Sequence, residues 1–460
     1  MSSFNIWADQ LLYYASILFG ITFNIIIFYA FYGSSDQPIT TLRDQILFYS
    51  KFFWFSGALV AISNIIGLTI YGSPLAKDAK NILKLDKNKW NSAYRLTIIY
   101  VSRGDNVVAL KRAVQSSMHV LDKWGANYQI DIVTDLPIKH KIMHSRKIKL
   151  HLVPSKYETS KSAKYKARAL HYVVEQHSRE IKDVLPQREW VLHLDEESFL
   201  TDASVAGIHE FIIQYKNRCS IGQGEIKYNA HNYGANLIIT AMDSIRTGDD
   251  LGRFRFQFNM LQRPLFGMHG SYILAPKKLE KRLGFDLGGK GSITEDAYFA
   301  LIASSKDIKF GWVDGFIREQ SPFSIRAIIQ QRRRWYCGLM LLSFDKIIPW
   351  RVRWPLALNM LLWTVAWIGP IVTLLNIIGG GGYFPKYLLI AAALLQGFYA
   401  SVYMVGAYRN LLGVDVSTWR KIQIYAFSFL LMPISNAIEG VAVLYGIIRP
   451  VKTFEVVNKN

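Results

Sequence analysis

The sequence predicts an α/β domain with a largely parallel, Rossmann-like sheet, set between apolar helices at both ends of the chain. Three features support this. Stretches at 11–32, 46–72, 354–378, 387–408 and 422–448 each hold roughly the 20 apolar residues needed to cross a bilayer. Between them, short β-rich runs alternate with helical stretches, the pattern of a parallel sheet with crossover helices. Charge is concentrated in that middle region, although 51% of the 460 residues are hydrophobic and 14% aromatic. That balance is too apolar for an ordinary soluble protein.

The first two stretches predict two membrane helices within residues 1–72, the second closed by Gly72-Ser73-Pro74. The first is too long, and too poor in flanking basic residues, for a cleaved signal peptide. Residues 73–320 form the α/β domain. Leu96–Val101, Tyr128–Val133, Lys149–Val153 and Glu189–Leu194 read as strands, with helices near 105–121, 161–177 and 203–216. Ligands of such sheets gather at the carboxyl ends of the strands. Here those ends carry Ser102-Arg103-Gly104-Asp105, Asp135 and Asp195. Residues 321–353 contain an amphipathic run, 323–345, expected to lie along a membrane interface and to carry Gln331-Arg332-Arg333-Arg334-Trp335 to the mouth of the site. Residues 354–460 supply about three further membrane segments, the last broken at Pro433 and carrying Glu439. An ionisable group in an apolar stretch is either functional or a packed, satisfied carboxylate.

A net charge of +20 suits nucleic acid, an anionic membrane face or a phosphate-bearing substrate. No nucleic-acid-binding module accompanies it, and Arg332, Arg333, Arg334, Arg351 and Arg353 gather at the edge of the C-terminal apolar block. Membrane lipids are therefore an expected partner and nucleic acid is not. The positive-inside rule puts 73–350 and the 409–421 loop in the cytosol, in an integral protein of the endoplasmic reticulum, Golgi or plasma membrane. Five simple spans leave Arg449 and Lys452 on the far side, a tension relieved if the last segment is a re-entrant hairpin. Cys219 and Cys337 show neither disulfide nor metal spacing, as suits a reducing compartment.

The chemistry-bearing motifs lie in the middle domain. Asp195 and Glu197, in His193-Leu194-Asp195-Glu196-Glu197, can project from a strand end toward one Mg or Mn ion bound to a diphosphate. A solvated acidic turn is the plain alternative, and His193 is expected to support the strand. Asp296, in Thr294-Glu295-Asp296, can take a proton from a hydroxyl, with Glu295 orienting it. Thr294 and the two acids also fit a helix N-terminus, and both roles are compatible. Gln331 and Arg334 can bind a phosphoryl oxygen or hydroxyl, and Trp335 offers a ring face to a sugar. Arg332 and Arg333 are expected to face lipid headgroups or donor phosphates. Lys166, at the start of a helix, can add charge beside a diphosphate. Together these groups point to sugar transfer at a membrane surface.

The ordered set of Asp135, Asp195/Glu197, Thr294-Glu295-Asp296 and Gln331-x-x-Arg334-Trp335, flanked by membrane helices, resembles the inverting family-2 glycosyltransferases that include cellulose, chitin and hyaluronan synthases. The resemblance implies a GT-A fold, with Asp135 on the donor base, Asp195 and Glu197 on a divalent cation, Asp296 as general base, and the Gln-Arg-Trp cluster at the donor diphosphate and acceptor. A closer likeness is to the Egghead-type β-1,4-mannosyltransferases. It is carried by Val133-Thr134-Asp135, Val153-Pro154-Ser155-Lys156-Tyr157, the run Trp190 to Ser198, Gly222-Gln223-Gly224, Arg263-Pro264-Leu265-Phe266, Gly270-Ser271-Tyr272, Ser321-Pro322-Phe323 and Ile438-Glu439-Gly440. It implies GDP-mannose as donor and glucosylceramide, a glycolipid, as acceptor, with His269, Gly270, Ser271 and Trp335 on the acceptor side and Asp135, Lys166, Asp195, Gln331 and Arg334 on the donor side. Ser198, Thr294 and His269 depart from the usual residues of that family. Two other readings remain: a processive polysaccharide synthase using a nucleotide sugar, and a non-enzymatic membrane scaffold with a basic face.

Overall fold

In the computed structural model the described residues are 3–32, 39–85, 90, 94–138, 145–180, 189–215, 220–231, 233–379 and 382–451; Cys219 and Lys452 lie outside them. Among the described residues, seven strands form one mixed sheet in the order β3-β2-β1-β4-β6-β5-β7. They are β1 (Arg95–Ser102), β2 (Tyr128–Thr134), β3 (Ile148–Leu152), β4 (Glu189–Asp195), β5 (Ser220–Lys227), β6 (Ile273–Pro276) and β7 (Lys309–Arg318). β1 pairs in parallel with β2 and β4, β2 with β3, and β5 with β7; β6 runs antiparallel between β4 and β5. The four strands expected from sequence are thus present within a residue or so, and β5 to β7 complete the sheet.

β1 shows why these runs are continuous rather than alternating. Leu96, Ile98 and Tyr100 pack on one face with Leu110, Val114 and Leu121, whereas Ile99 on the other face joins Leu170, Val173 and Val174. Both faces are covered, so Ile98, Ile99, Tyr100 and Val101 follow one another without a polar break, and even Thr97 is buried. The covering helices nearest the site are among those that precede the C-terminal block. In chain order these are α1 (Ser3–Tyr32), α2 (Leu42–Ser50), α3 (Ala58–Tyr71), α4 (Leu75–Lys84), α5 (Val107–Lys123), α6 (Tyr165–Glu180), α7 (Asp202–Tyr215), α8 (Leu237–Asp249), α9 (Arg255–Asn259), α10 (Lys277–Leu283), α11 (Gly288–Gly291), α12 (Glu295–Ser305) and α13 (Ile325–Ser343). From β1 the chain moves outward to β2 and β3, then returns to place β4 on the other side of β1. A crevice therefore opens beyond the carboxyl ends of β1 and β4, where ligands of such sheets bind. Ser102 and Glu196 meet there at 2.5 Å.

The remaining helices are α14 (Trp350–Ala366), α15 (Ile368–Ile378), α16 (Lys386–Leu411), α17 (Thr418–Leu430) and α18 (Met432–Ile448). Among the described residues, four segments are long and apolar enough to cross a membrane: Asn5–Phe31, Leu42–Tyr71, Trp350–Ile378 and Lys386–Leu411. The pair α17 and α18 is a fifth if counted as one, bent by 55°. α16 packs against both α1 and α8, joining the apolar helices to the sheet domain. Close approach there depends on small residues: a Cβ on Gly406 would lie 1.7 Å from the Ser244 carbonyl oxygen.

Three details differ from the sequence expectation. The last segment bends at Leu431–Met432 rather than at Pro433, because Pro433 falls in the first turn of α18, where its missing N–H has no helical partner to lose. The arginines expected on lipid headgroups or donor phosphates point inward. Arg332 and Arg333 are each 6% exposed, Arg332 paired with Glu439 at 3.2 Å and Arg333 donating to the Arg449 carbonyl at 2.9 Å and lying over the Tyr445 ring. α18 thus supplies their partners, and α13 is a packed helix more than a surface one. Finally, α4 was not anticipated; Asp78 accepts from the Gly315 backbone N–H and Asn81 bonds Asp314, fastening it under β7.

Candidate active site

Asp195 ends β4, and Lys166 reaches it from the first turn of α6. The ammonium lies 2.6 Å from Asp195, donates to the Gly270 carbonyl at 2.9 Å, and sits 3.5 Å from Glu295. Burial works against its charge, but Asp195 and then Glu295 outweigh that and hold the Lys166 pKa well above its ordinary value. It remains a cation. Tyr165, immediately before it, adopts a φ of 54°, a strained backbone of the kind that clusters at functional sites.

Asp296 lies in the first turn of α12, with its carboxylate accepting from its neighbour Ala297 N–H at 2.7 Å. Thr294 occupies the N-cap position, yet its hydroxyl makes no capping bond. Burial, then the like charge of Glu295, push the Asp296 pKa up to about 7, against the pull of Lys166. Gly270 lies against this pair: a Cβ there would come 3.0 Å from the Asp296 carboxylate and 3.2 Å from the Lys166 ammonium. Glycine leaves the approach to Asp296 open.

Carboxylate oxygens of Asp195, Glu197 and Glu319 lie within 4.8 Å of one another. Three hard oxygen donors, two of them buried, fit Mg²⁺ or Mn²⁺. The cluster is braced from behind. Ser198 donates to Glu319 at 2.7 Å and lies 2.9 Å from the Ser271 hydroxyl, which accepts from the Asp195 backbone N–H at 3.3 Å. Asp195 and Glu197 were expected; Glu319 was not. Its signal was an acid directly after a β-rich run, next to Ser321-Pro322-Phe323. A shift of pairing register in β5 and β7 at Gly224/Glu225 precedes it. His193 is 3.0 Å from Glu280 and edge-on to Phe285, so it supports the strand as expected.

The other anticipated residues line the same crevice. Asp135 follows β2 and pairs with Arg168 at 2.5 Å. Gln331 and Arg334 come from α13, with Arg334 close enough to feel Glu295, Asp296 and Asp195. On the opposite side His269 bonds Asp250 at 2.5 Å and stacks on Phe254. Burial opposes its charge, but the Asp250 carboxylate holds the imidazole pKa above its usual value. Gln223 grips the backbone on both sides, accepting from His269 N–H at 3.1 Å and donating to the His269 and Ser271 carbonyls. Asp250 opens a π-helical turn, Asp250–Phe254, a distortion often found beside functional sites. Trp335 is flanked by Arg332 at 4.4 Å and Arg246 at 5.1 Å. Arg246 and Asp250 were not foreseen, since they act through tertiary contact with no local motif, and Gln223, though part of the Gly222-Gln223-Gly224 run, had been given no role.

Asp135, Lys166, Asp195, Glu197, His269, Gly270, Ser271, Glu295, Asp296, Gln331, Arg334 and Trp335, the twelve residues given site roles from sequence, all border one cavity of about 1100 Å³ that continues among the apolar helices. Residues 190–436 match the family model described as glycosyl transferase family group 2. The chain belongs to that family. Among curated proteins, the β-1,4-mannosyltransferase egh of Drosophila melanogaster is 32% identical over 369 residues, 79% of this chain and 78% of its own length. The β-1,4-mannosyltransferase bre-3 of Caenorhabditis elegans is 30% identical over 366 residues, 78% of this chain and 77% of its own. A solved structure of the mannosyltransferase PcManGT from Pyrobaculum calidifontis, in complex with GDP-Man and Mn²⁺, matches 83% of this chain and 99% of its own, with 15% identity and a TM-score of 0.41. Membership of glycosyl transferase family group 2 makes the protein a glycosyltransferase, with a GT-A-like mixed α/β sheet as its frame.

Proposed function

We propose that this glycosyltransferase moves mannose from GDP-mannose to the glucose of a glucosylceramide-like membrane lipid, forming a β-1,4-mannoside with inversion. The observation that carries the chemistry is the placement of Asp296, with its pKa near 7, across Lys166 and Gly270 from the Asp195–Glu197–Glu319 cluster. The mannosyl and β-1,4 assignments are supported by the egh and bre-3 relatives.

In this reading the acceptor hydroxyl approaches through the gap left by Gly270. Its oxygen attacks the anomeric carbon, its proton passes to Asp296, and the bond from that carbon to GDP breaks, leaving the electron pair on the diphosphate. Asp195, Glu197 and Glu319 would hold a divalent cation, which when bound would neutralise charge on that diphosphate. Lys166 keeps Asp195 aligned, and Gln331 and Arg334 bind the phosphoryl oxygens. Asp135 takes the base edge of the nucleotide, with Arg168 holding it in place. His269, Gly270, Ser271 and Trp335 border the acceptor. The apolar helices anchor the enzyme, with the sheet domain on the cytosolic face of the endoplasmic reticulum, Golgi or plasma membrane; residues 1–72 and 354–460 form the membrane parts and 73–320 the catalytic domain.

The test is to reconstitute the full chain with Mn²⁺ and supply GDP-mannose, UDP-glucose, UDP-GlcNAc or UDP-glucuronate, with and without glucosylceramide, and separate products by extraction and size. Mannose on the glycolipid, dependent on both substrates, is expected. Acceptor-independent polymer from a UDP-sugar would replace this reading with a polysaccharide synthase.

A further inference from the structure

The cavity changes character along its length. Near the sheet it is acidic and basic, bordered by Asp195, Glu197, Asp296, Lys166 and Arg334. Further on, three arginines line it, each matched by its own carboxylate: Arg246 with Asp243 at 3.1 Å, Arg332 with Glu439 at 3.2 Å, and Arg253 with Asp249. Beyond them the wall turns apolar, with Ile27, Phe28, Phe31, Phe53 and Ile377. A lining graded in this way fits an amphiphile lying with its polar head toward Asp296 and its tail among the helices.

The middle zone defines the head. Both members of the Arg332–Glu439 pair line the cavity, and the carboxylate is the more exposed of the two, 29% against 7%. A phosphate headgroup would be repelled there, whereas hydroxyl or amide N–H donors would be bound. Asn436, whose carbonyl accepts from Tyr399 at 3.0 Å and Tyr403 at 3.2 Å, lies one helical turn before Glu439 on α18. Trp363 and Trp367 add ring faces to the same wall. Polar groups left on a cavity wall among apolar helices, rather than packed away, mark a substrate path. The bend between α17 and α18 is what brings Asn436 and Glu439 to it: an unbent span would carry α18 elsewhere.

We propose that Glu439 and Asn436, with Trp363 and Trp367, form a subsite for the lipid-proximal face of an uncharged saccharide headgroup and the donor-bearing junction that joins it to its lipid. The tail lies between α1, the Lys51–Phe55 turn and α15. The subsite deepens the transferase reading above and rests on it for the identity of the acceptor.

The experiment uses the full chain in nanodiscs and a dodecyl β-glucoside carrying a diazirine at the end of its tail. Photolabel is expected on peptides spanning 24–31 and 53–60, competed by unlabelled glucoside and not by dodecyl phosphate. Glu439→Gln is expected to raise the KM for the glycolipid about tenfold, equal to about 1.4 kcal/mol, while that for GDP-mannose moves less than twofold. Asn436→Leu, which removes no charge, should act in the same direction. Label on outward-facing residues such as Trp7 or Leu361, preferential competition by dodecyl phosphate, or an unchanged acceptor KM in both variants would overturn the subsite. Labelling needs no turnover. Labelled helices without mannose transfer would therefore refute the mannosyl reading and leave the subsite standing, and transfer with label elsewhere would do the reverse.

Discussion

Replacing Asp296 should produce opposite effects on rate and on stability. With a pKa of about 7, Asp296 is ionised in about one tenth of molecules at pH 6 and about nine tenths at pH 8. A general base works only when ionised, so kcat/KM should rise about tenfold between those values where no other group limits the rate. Stability runs the other way. A carboxyl whose folded pKa lies above its ordinary 3.8 favours the protonated fold, so its contribution is present below that value and is lost as pH rises through about 7. Asp296→Asn should therefore lower the rate by a factor of about 10² to 10⁴ and raise the melting temperature at pH 8. The neighbours set the position of the acid limb. Glu295→Gln removes a like charge and should move it to lower pH, whereas Lys166→Met removes an opposite charge and should move it higher. The assay is initial GDP release from pH 5.5 to 8.5 at fixed ionic strength. A flat profile from pH 6 to 8, or an Asn variant retaining more than about a tenth of the rate, would refute the assignment.

Three further outcomes follow from the geometry. Glu319→Gln should weaken Mn²⁺ activation about 10- to 100-fold, read by titrating the metal into chelator-treated enzyme, because it removes one of three clustered carboxylates. Gly406→Ala should lower the melting temperature by several degrees, with a cost of about 3 kcal/mol, since its Cβ would drive α16 away from α8 at Ser244. Arg409 pairs with Glu225 through two contacts, of 2.7 and 3.0 Å, both groups being fully buried. Arg409→Met alone should cost about 3–5 kcal/mol, and adding Glu225→Met should restore much of it, as followed by thermal unfolding of single and double variants.

Much of this arrangement was legible in the sequence where a property is local. Strands buried on both faces are rich in apolar and β-branched residues, so β1, β2 and β4 stand out, and residues at their carboxyl ends, Asp135 and Asp195, are marked by position alone. The Thr294-Glu295-Asp296 and Gln331–Trp335 motifs were legible for the same reason: each is a short run on one helix. Glu319 and Asp250 were hidden, because each reaches the crevice through pairing of distant strands or through a π-helical turn with no local signature, and the role of Gln223 was hidden because it acts on the backbone of a distant segment. Arg332 and Arg333 misled for a related reason. A basic run beside an apolar block looks like a membrane flank until Glu439 and the end of α18, more than a hundred residues later, supply partners for these buried arginines.

The most direct test of the central claim is the anomeric configuration and linkage of the first product, determined by NMR after wild-type enzyme is given GDP-α-mannose, Mn²⁺ and glucosylceramide. The account predicts a single β-linked mannose on O4 of the glucose, absent with Asp296→Asn. An α-linked mannose, a different linkage position, or a polymer would contradict it.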